Sequence, residues 1–400
     1  MGFNCFSIKN IKRSLMSNLN PLFAVVIFVI AYFTVYINNL KYKITYNTSS
    51  RYESVDGLRG FLAISVFIAH SSTWYQYIQE GKWMSRSNLY SQLGSTSVAF
   101  FFMISSFLFI SKLLNSVEKD FNWKSFFISR VLRLAPMYYF SVGLILLFVM
   151  IITEWKLKSG MVEFFHEMFL WGTFTVIRDT AINGFGLTYL INAGVVWSLP
   201  FEWLFYFSLP LISLFILKRK PSVFYILLSL FFICGYFYVR GINIQHMLSF
   251  VGGALGAIVL KYKLLKNAEN IVYSVLTLVC LVLIGQFEKS TNMPCKILIT
   301  IIFLLISSGN TIFGILKSPI LKLLGEISYS TYLLHGIVLF TVFYFGIGLE
   351  KAKMFTGSKY CIIIFLITPI VIMVSFVGYK FIEKPFMETS KKYFTKKLVH

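Results

Sequence analysis

Eleven apolar runs separated by short polar segments dominate this 400-residue chain. They fall at about 21–39, 57–77, 95–115, 136–153, 195–217, 223–239, 246–260, 271–286, 297–316, 328–349 and 360–382. A helix needs about 20 predominantly apolar residues to cross a hydrocarbon core roughly 30 Å thick. In lipid, every backbone amide must also find its partner internally. Runs of this length and number point to an all-α protein: a polytopic membrane helix bundle of about 10–11 transmembrane helices. The run at 246–260 is short and glycine-rich and fits this pattern least well. Composition agrees, because 57% of residues are hydrophobic and 13% are charged, against about 25% charged in soluble domains.

The net charge of +21 belongs to topology rather than to nucleic acid. Lys and Arg sit in short clusters between the apolar runs, without the aromatic interleaving of an RNA- or DNA-binding stretch. One alternate set of loops (40–59, 112–134, 218–222, 261–270, 317–324, 380–400) holds 23 basic residues and the other holds 14. Excess basic charge marks the cytoplasmic side, so the first set is expected inside, together with the C-terminus. The N-terminus is then outside despite Lys9, Lys12 and Arg13, and the 154–194 loop lies outside. That loop carries Trp155, Phe164, Phe165, Phe169, Trp171 and Phe174. It suits either a cover over a cavity mouth or an interfacial amphipathic hairpin. The expected organisation is an N-terminal segment 1–50 with an extra apolar span, a membrane domain 51–390 and a basic tail 391–400. Cys5, Cys234, Cys280, Cys295 and Cys361 show no CxxC spacing and read as packing residues, forming neither a metal site nor a disulfide framework.

A few ionisable residues interrupt the apolar runs. Arg59 and His70 are eleven residues apart, which on a helix returns to nearly one face about 16 Å further along the axis. Arg59 alone suits a snorkelling anchor and His70 alone a packing hydrogen bond. An Arg at one interface with a His near midplane on the same face suits function better, because ionisable groups at that depth are expensive. Arg130 and Arg133, three residues apart, face one way on a helix. They are either ordinary inner-face charge or a fork for a polyanion such as a nucleotide phosphate. Pro136 then fits the first turn of the next span. Glu202, about 10 Å into its span, needs a partner or a watery cavity. His70 at similar depth would supply one, as a carboxylate orients the imidazole in a catalytic triad, and a structural hydrogen bond is the other reading. His335 lies about 10 Å into the tenth span, as a second candidate base or a packed histidine. Pro385 is expected to stop the last helix.

Taken in order, these pieces resemble the acyltransferase-3 family of integral membrane acyltransferases, which includes bacterial O-acetyltransferases of cell-envelope glycans. The matching stretches are Asp56-Gly57-Leu58-Arg59-Gly60 with His70, Phe100-Phe101-Phe102-Met103-Ile104-Ser105-Ser106-Phe107-Leu108, Arg130-x-x-Arg133-x-x-Pro136, Trp197-Ser198-Leu199 with Glu202, Ser328-Tyr329-Ser330-Thr331-Tyr332-Leu333-Leu334-His335, and Glu383-Lys384-Pro385. Two departures stand out. Ser105-Ser106-Phe107 replaces the common Ser-Gly-Phe, and an apolar segment at 21–39 precedes the usual family start.

The resemblance implies acyl-CoA, with acetyl-CoA foremost, as a co-substrate rather than a bound cofactor. It implies a hydroxyl of a glycan or lipid-linked sugar, in lipopolysaccharide or another polysaccharide, as acceptor. It also implies a multi-pass protein of the bacterial inner membrane, surrounded by lipid. In that setting His70 is the general base, with Glu202 beside it and His335 as the rival base. Arg59, Arg130, Arg133, Trp197 and Ser198 bind the donor. No metal is expected, since the His and carboxylates are scattered without ligand spacing. A proton-coupled transporter of lipid-linked or polysaccharide substrate is the alternative for a bundle with midplane His and Glu. No inverted repeat supports it.

Overall fold

In a computed structural model, residues 20–42, 52–241 and 243–389 are described. The N-terminal basic residues, Cys5, the tail 391–400 and His400 lie outside them. Among the described residues there are no strands, only an isolated bridge between Ile182 and Phe185. The helices are α1 (Pro21–Tyr42), α2 (Glu53–Glu80), α3 (Asn88–Leu114), α4 (Trp123–Ile152), α5 (Met161–Gly172), α6 (Thr188–Ile191), α7 (Leu199–Ile216), α8 (Val223–Arg240), α9 (Ile244–Lys261), α10 (Ile271–Ile284), α11 (Met293–Ser307), α12 (Pro319–Glu326), α13 (Ser328–Phe340), α14 (Leu349–Lys353) and α15 (Gly357–Gly378). The bundle is all-α, and eight of its helical segments are long and apolar enough to cross a membrane.

All eleven apolar runs form helix, with three exceptions to spanning criteria. The α2 helix is 28 residues long, but its second half, from His70 through Ser71, Ser72 and Thr73 to Gln79, is too polar. The α10 and α11 helices have 14 and 15 residues, too few for a straight crossing of about 30 Å. The apolar segment ahead of the main bundle is a helix docked on it. Phe23 lies 5.7 Å from Phe365, and Phe28 stacks on Phe61 at 4.6 Å. Elsewhere large apolar side chains face outward, such as Phe215, Phe231 and Tyr238 at 80–92% exposure. That suits a hydrocarbon surround and not water.

Helix boundaries differ from the sequence reading in three instructive places. The α4 helix begins at Trp123, where Asn122 caps it by accepting from the Ser125 amide at 2.8 Å. Arg130, Arg133 and Pro136 are therefore inside one long helix. The span expected from 195 begins as a 3-10 turn, Val195–Ser198, and α7 proper opens at Leu199. Glu202 is thus in the first turn of α7. Pro385 does not end the last helix. The chain passes through a π-helical turn, Tyr379–Glu383, and stays helical to residue 389. The wider i→i+5 spacing before Pro385 absorbs the hydrogen bond that proline cannot make.

The loops sort into two ends as their charge alternation anticipates. At one end, Lys218 pairs with Glu118 at 2.7 Å, Lys322 with Glu53 at 2.9 Å and Lys317 with Glu269, while the Lys261 ammonium donates to the Leu114 carbonyl. At the other end, Gln92 donates to the Phe287 carbonyl at 2.7 Å and Arg240 to that of Val176 at 3.0 Å.

The glycines of Asp56-Gly57-Leu58-Arg59-Gly60 are close-approach residues. A Cβ on Gly57 would collide with the Leu316 carbonyl, and one on Gly60 with the Leu321 carbonyl. From the other side, a Cβ on Gly325 would strike the Asp56 carbonyl. Backbone-to-backbone contact thus locks α2 onto α12 and onto the 3-10 turn Ile315–Lys317 that precedes it, which fixes the register of Arg59 and His70. The α3 helix makes its comparable approach at Gly253 of α9, packed on the Met103 backbone. Ser106 is buried there, and its hydroxyl has no partner.

Candidate active site

His70 and His335 meet. The Nδ1 of His70 lies 2.8 Å from Nε2 of His335, and the two rings stack at 5.1 Å. The Nδ1 of His335 lies 2.8 Å from the Thr331 carbonyl oxygen one turn back. A carbonyl can only accept, so His335 Nδ1 carries the proton. In a neutral His335 the Nε2 is then an acceptor, and it can only receive from His70 Nδ1–H. His70 is left with its lone pair on Nε2, the atom not engaged by His335. His335 is fully buried, whereas His70 is half-buried and stacks on Trp83 at 6.2 Å.

The pairing expected between His70 and Glu202 is therefore not the one formed. Glu202 Oε1 accepts from the Tyr206 hydroxyl at 2.5 Å and from the Ser105 hydroxyl at 3.0 Å. The 3-10 turn ahead of α7 puts Glu202 at the helix start, facing α3, while α13 brings His335 across to α2.

Glu202 instead lines a cavity of about 400 Å³ on the Arg59 side of the histidines. Arg59, Lys112, Arg130 and Arg133 also line it, so four cations face one carboxylate. Ser105, Ser198, Ser328, Tyr206, Tyr329 and Tyr332 supply hydroxyls, and Phe101, Phe102 and Phe109 supply apolar wall. Arg59 donates to the Ser328 hydroxyl at 3.2 Å and sits 3.8 Å from Asp56. The Arg130 guanidinium lies over the Phe109 ring at 4.8 Å, and its Nε is buried without a partner. Arg133 sits in the field of Glu383, Glu326 and Glu202. Buried Glu383 accepts from the Ser330 hydroxyl at 2.9 Å through one oxygen and leaves the other unpartnered.

The cavity and the dyad are joined through Tyr332, which lines the cavity one turn before His335. Its hydroxyl donates to the Val195 carbonyl at 2.8 Å and lies 2.8 Å from the Ser198 hydroxyl. Ser198 is thus at the site. Trp197 is not among the lining residues; it packs half-buried against Phe102, Phe201 and His246. Lys112 and Tyr206 emerge as lining groups that sequence reading passed over. Lys112 looks like loop charge, whereas Tyr206, four residues after Glu202, offered a helical-spacing clue.

The 154–194 segment folds over the far end of the bundle. Its hub is buried Asn183, at φ 51°. The Asn183 side chain donates to Thr153 at 3.0 Å and to the Lys156 carbonyl at 2.9 Å, and accepts from the Lys158 amide at 2.7 Å. Its backbone amide donates to Glu167 at 2.8 Å. The Tyr138 hydroxyl holds the Trp171 carbonyl at 2.6 Å.

Among the described residues, no group of three His, Cys, Asp or Glu side chains is placed to hold a metal ion. Among the described residues, Cys280, Cys295 and Cys361 are buried and Cys234 is exposed, and none of the four is in a disulfide. In this geometry, a cationic, part-aromatic cavity suits a large phosphorylated ligand with an apolar arm. A histidine with an oriented lone pair suits removal of a proton.

Residues 52–380 match the model of the acyltransferase-3 acyltransferase domain. No curated protein and no solved structure matches the chain.

Proposed function

Because the chain belongs to the acyltransferase-3 family and is an acyltransferase of the membrane, we propose that it moves an acyl group, acetyl foremost, from acyl-CoA to a sugar hydroxyl of a cell-envelope glycan. The observation that carries this reading is the chain of hydrogen bonds from the Thr331 carbonyl through His335 to His70. It leaves the lone pair of His70 on Nε2, one helical stretch beyond an arginine-lined cavity.

In this reading the CoA phosphates rest among Arg59, Lys112, Arg130 and Arg133, at the cytoplasmic end of the bundle in an inner membrane. The pantetheine arm runs past Tyr332 toward the dyad. His70 Nε2 takes the proton of the acceptor hydroxyl as its oxygen attacks the thioester carbonyl carbon. The new C–O bond forms, the C–S bond breaks, and the proton passes from His70 to the leaving thiolate, giving CoA thiol and an O-acyl sugar. His335 positions His70 and shares the positive charge that forms transiently. Such a base contributes about 10²–10⁴-fold in rate.

Two measurements test the reading together. Purified protein in detergent, with no gradient, should release CoA thiol from acetyl-CoA in a glycan-dependent manner. Mass spectrometry of envelope glycans with and without the gene should find an ester-linked acyl mass that disappears. Glycans of unchanged mass, with no thiol release by the purified protein, would contradict it.

A further inference from the structure

The 3-10 turn that holds Tyr332 divides two cavities. Ser198, Leu199 and Glu202 face the arginine cavity. A few residues earlier, Asn192, Gly194 and Val196 line a separate cavity of about 190 Å³, together with Trp171, Asp179, Thr180, Gly186, Thr188 and Tyr189. The second cavity sits at the opposite end of α2, since Tyr189 packs on Trp83 at 6.2 Å and Trp83 stacks on His70 at 6.2 Å. It is also close to the dyad from the α13 side. Gly336, next to His335, lies so tight on the Asn192 backbone that a Cβ there would collide.

The lining has the character of a sugar subsite. Tyr189 offers exposed aromatic surface, Asp179 a carboxylate held by Arg240 at 3.1 Å, and Thr180 and Asn192 short polar side chains, with Trp171 and Thr188 buried in the wall. Asn192 is only 1% exposed, and its Oδ1 accepts from the Gly194 amide at 3.0 Å. Its side-chain Nδ2 has no partner, although a buried amide donor left unpaired is costly. The amide is sealed off from the empty cavity, and a ligand oxygen reaches it once the Asn192 side chain turns toward the cavity it lines.

We propose that this cavity binds the acceptor sugar, and that Asn192 Nδ2 donates a hydrogen bond to one of its oxygens. The inference rests on the O-acyltransferase reading. It assigns the acceptor to the face of the Val195–Ser198 turn opposite the donor, so the two substrates approach the dyad from opposite ends of the bundle and do not compete.

The test uses the full chain purified in detergent, acetyl-CoA as donor and alkali-de-esterified envelope glycan as titrated acceptor, with CoA thiol release as readout. Asn192→Asp keeps the shape and removes the donor. Gly186→Leu fills the cavity from a position where an added Cβ meets nothing within 4 Å. Both variants should raise the KM for glycan at least about tenfold, Asn192→Asp through the loss of roughly one buried hydrogen bond and Gly186→Leu through occlusion, with acetyl-CoA binding at the wild-type level. An unchanged glycan KM in both variants overturns the assignment while leaving the transfer reaction intact. A wild-type protein that binds acetyl-CoA yet shows no glycan-dependent release refutes the O-acyltransferase reading, and this assignment with it.

Discussion

His335 holds His70 by the one nitrogen that leaves the other free. With His335 Nδ1 committed to the Thr331 carbonyl and its Nε2 to His70 Nδ1, each at 2.8 Å, the tautomers of both rings follow from a single backbone acceptor. In the proposed reaction His335 therefore positions His70, a role that differs in kind from that of a second base.

Replacing His335 should separate these roles. His335→Ala is expected to slow acyl transfer by about 10²-fold or more, near the lower end of what a positioned base supplies. Acetyl-CoA affinity should stay near wild type. The His70→Ala/His335→Ala double variant should be no slower than His70→Ala, because residues acting as a unit are non-additive. Single-turnover rates at saturating acetyl-CoA check this, and a double variant slower by the product of the two single effects would assign independent roles.

The cationic cavity predicts opposite effects for its two signs of charge. Arg130→Ala should weaken acetyl-CoA binding by about 1.5–3 kcal/mol, the range for a hydrogen bond to a charged group. Arg130→Lys should restore only part of it, since the planar fork is lost. Glu202→Gln removes the single carboxylate among the described lining residues. It should tighten acetyl-CoA binding while leaving the single-turnover rate at saturation near wild type. Calorimetric titration with acetyl-CoA reads both. A Glu202→Gln rate as low as that of His70→Ala would restore Glu202 as the orienting partner.

The close contact between α2 and the turn before α12 predicts a stability effect remote from the chemistry. Gly57→Ala forces a methyl against the Leu316 backbone, which cannot rotate away. It should destabilise by about 1–3 kcal/mol or more, as overpacking does. Gly143→Ala in α4, where an added Cβ meets nothing within 4 Å, should be neutral or stabilising. Thermal unfolding of the two variants in the same detergent decides it, and equal melting temperatures would refute the close approach.

Sequence legibility tracked what is local. The apolar runs located the helices, and the eleven-residue spacing put Arg59 and His70 on one helix face. Which partner His70 would find was not legible. That depends on how α2 and α13 are set against each other by contacts at Gly57, Gly60, Gly325 and Gly336, and helical periodicity along one chain carries no such information. The partners that Glu202 takes, Tyr206 and Ser105, were not legible for the same reason, since the Ser105 contact depends on how α7 packs on α3. Pro385 misled because a π-helical turn ahead of it, invisible to composition, absorbs the break. Trp197 shared a motif with Ser198, but adjacent residues on a turn point to different sides, and only Ser198 faces the cavity.

If His70 Nε2 takes the acceptor proton, His70→Gln should remove the base of the reaction and little else. An amide at that position can still hydrogen-bond His335 but cannot accept and release the proton. The measurement is the single-turnover rate of acetyl transfer to envelope glycan by folded His70→Gln protein at saturating acetyl-CoA. That rate should fall by about 10²–10⁴-fold with acetyl-CoA affinity unchanged; transfer at a near wild-type rate would show that His70 is not the base.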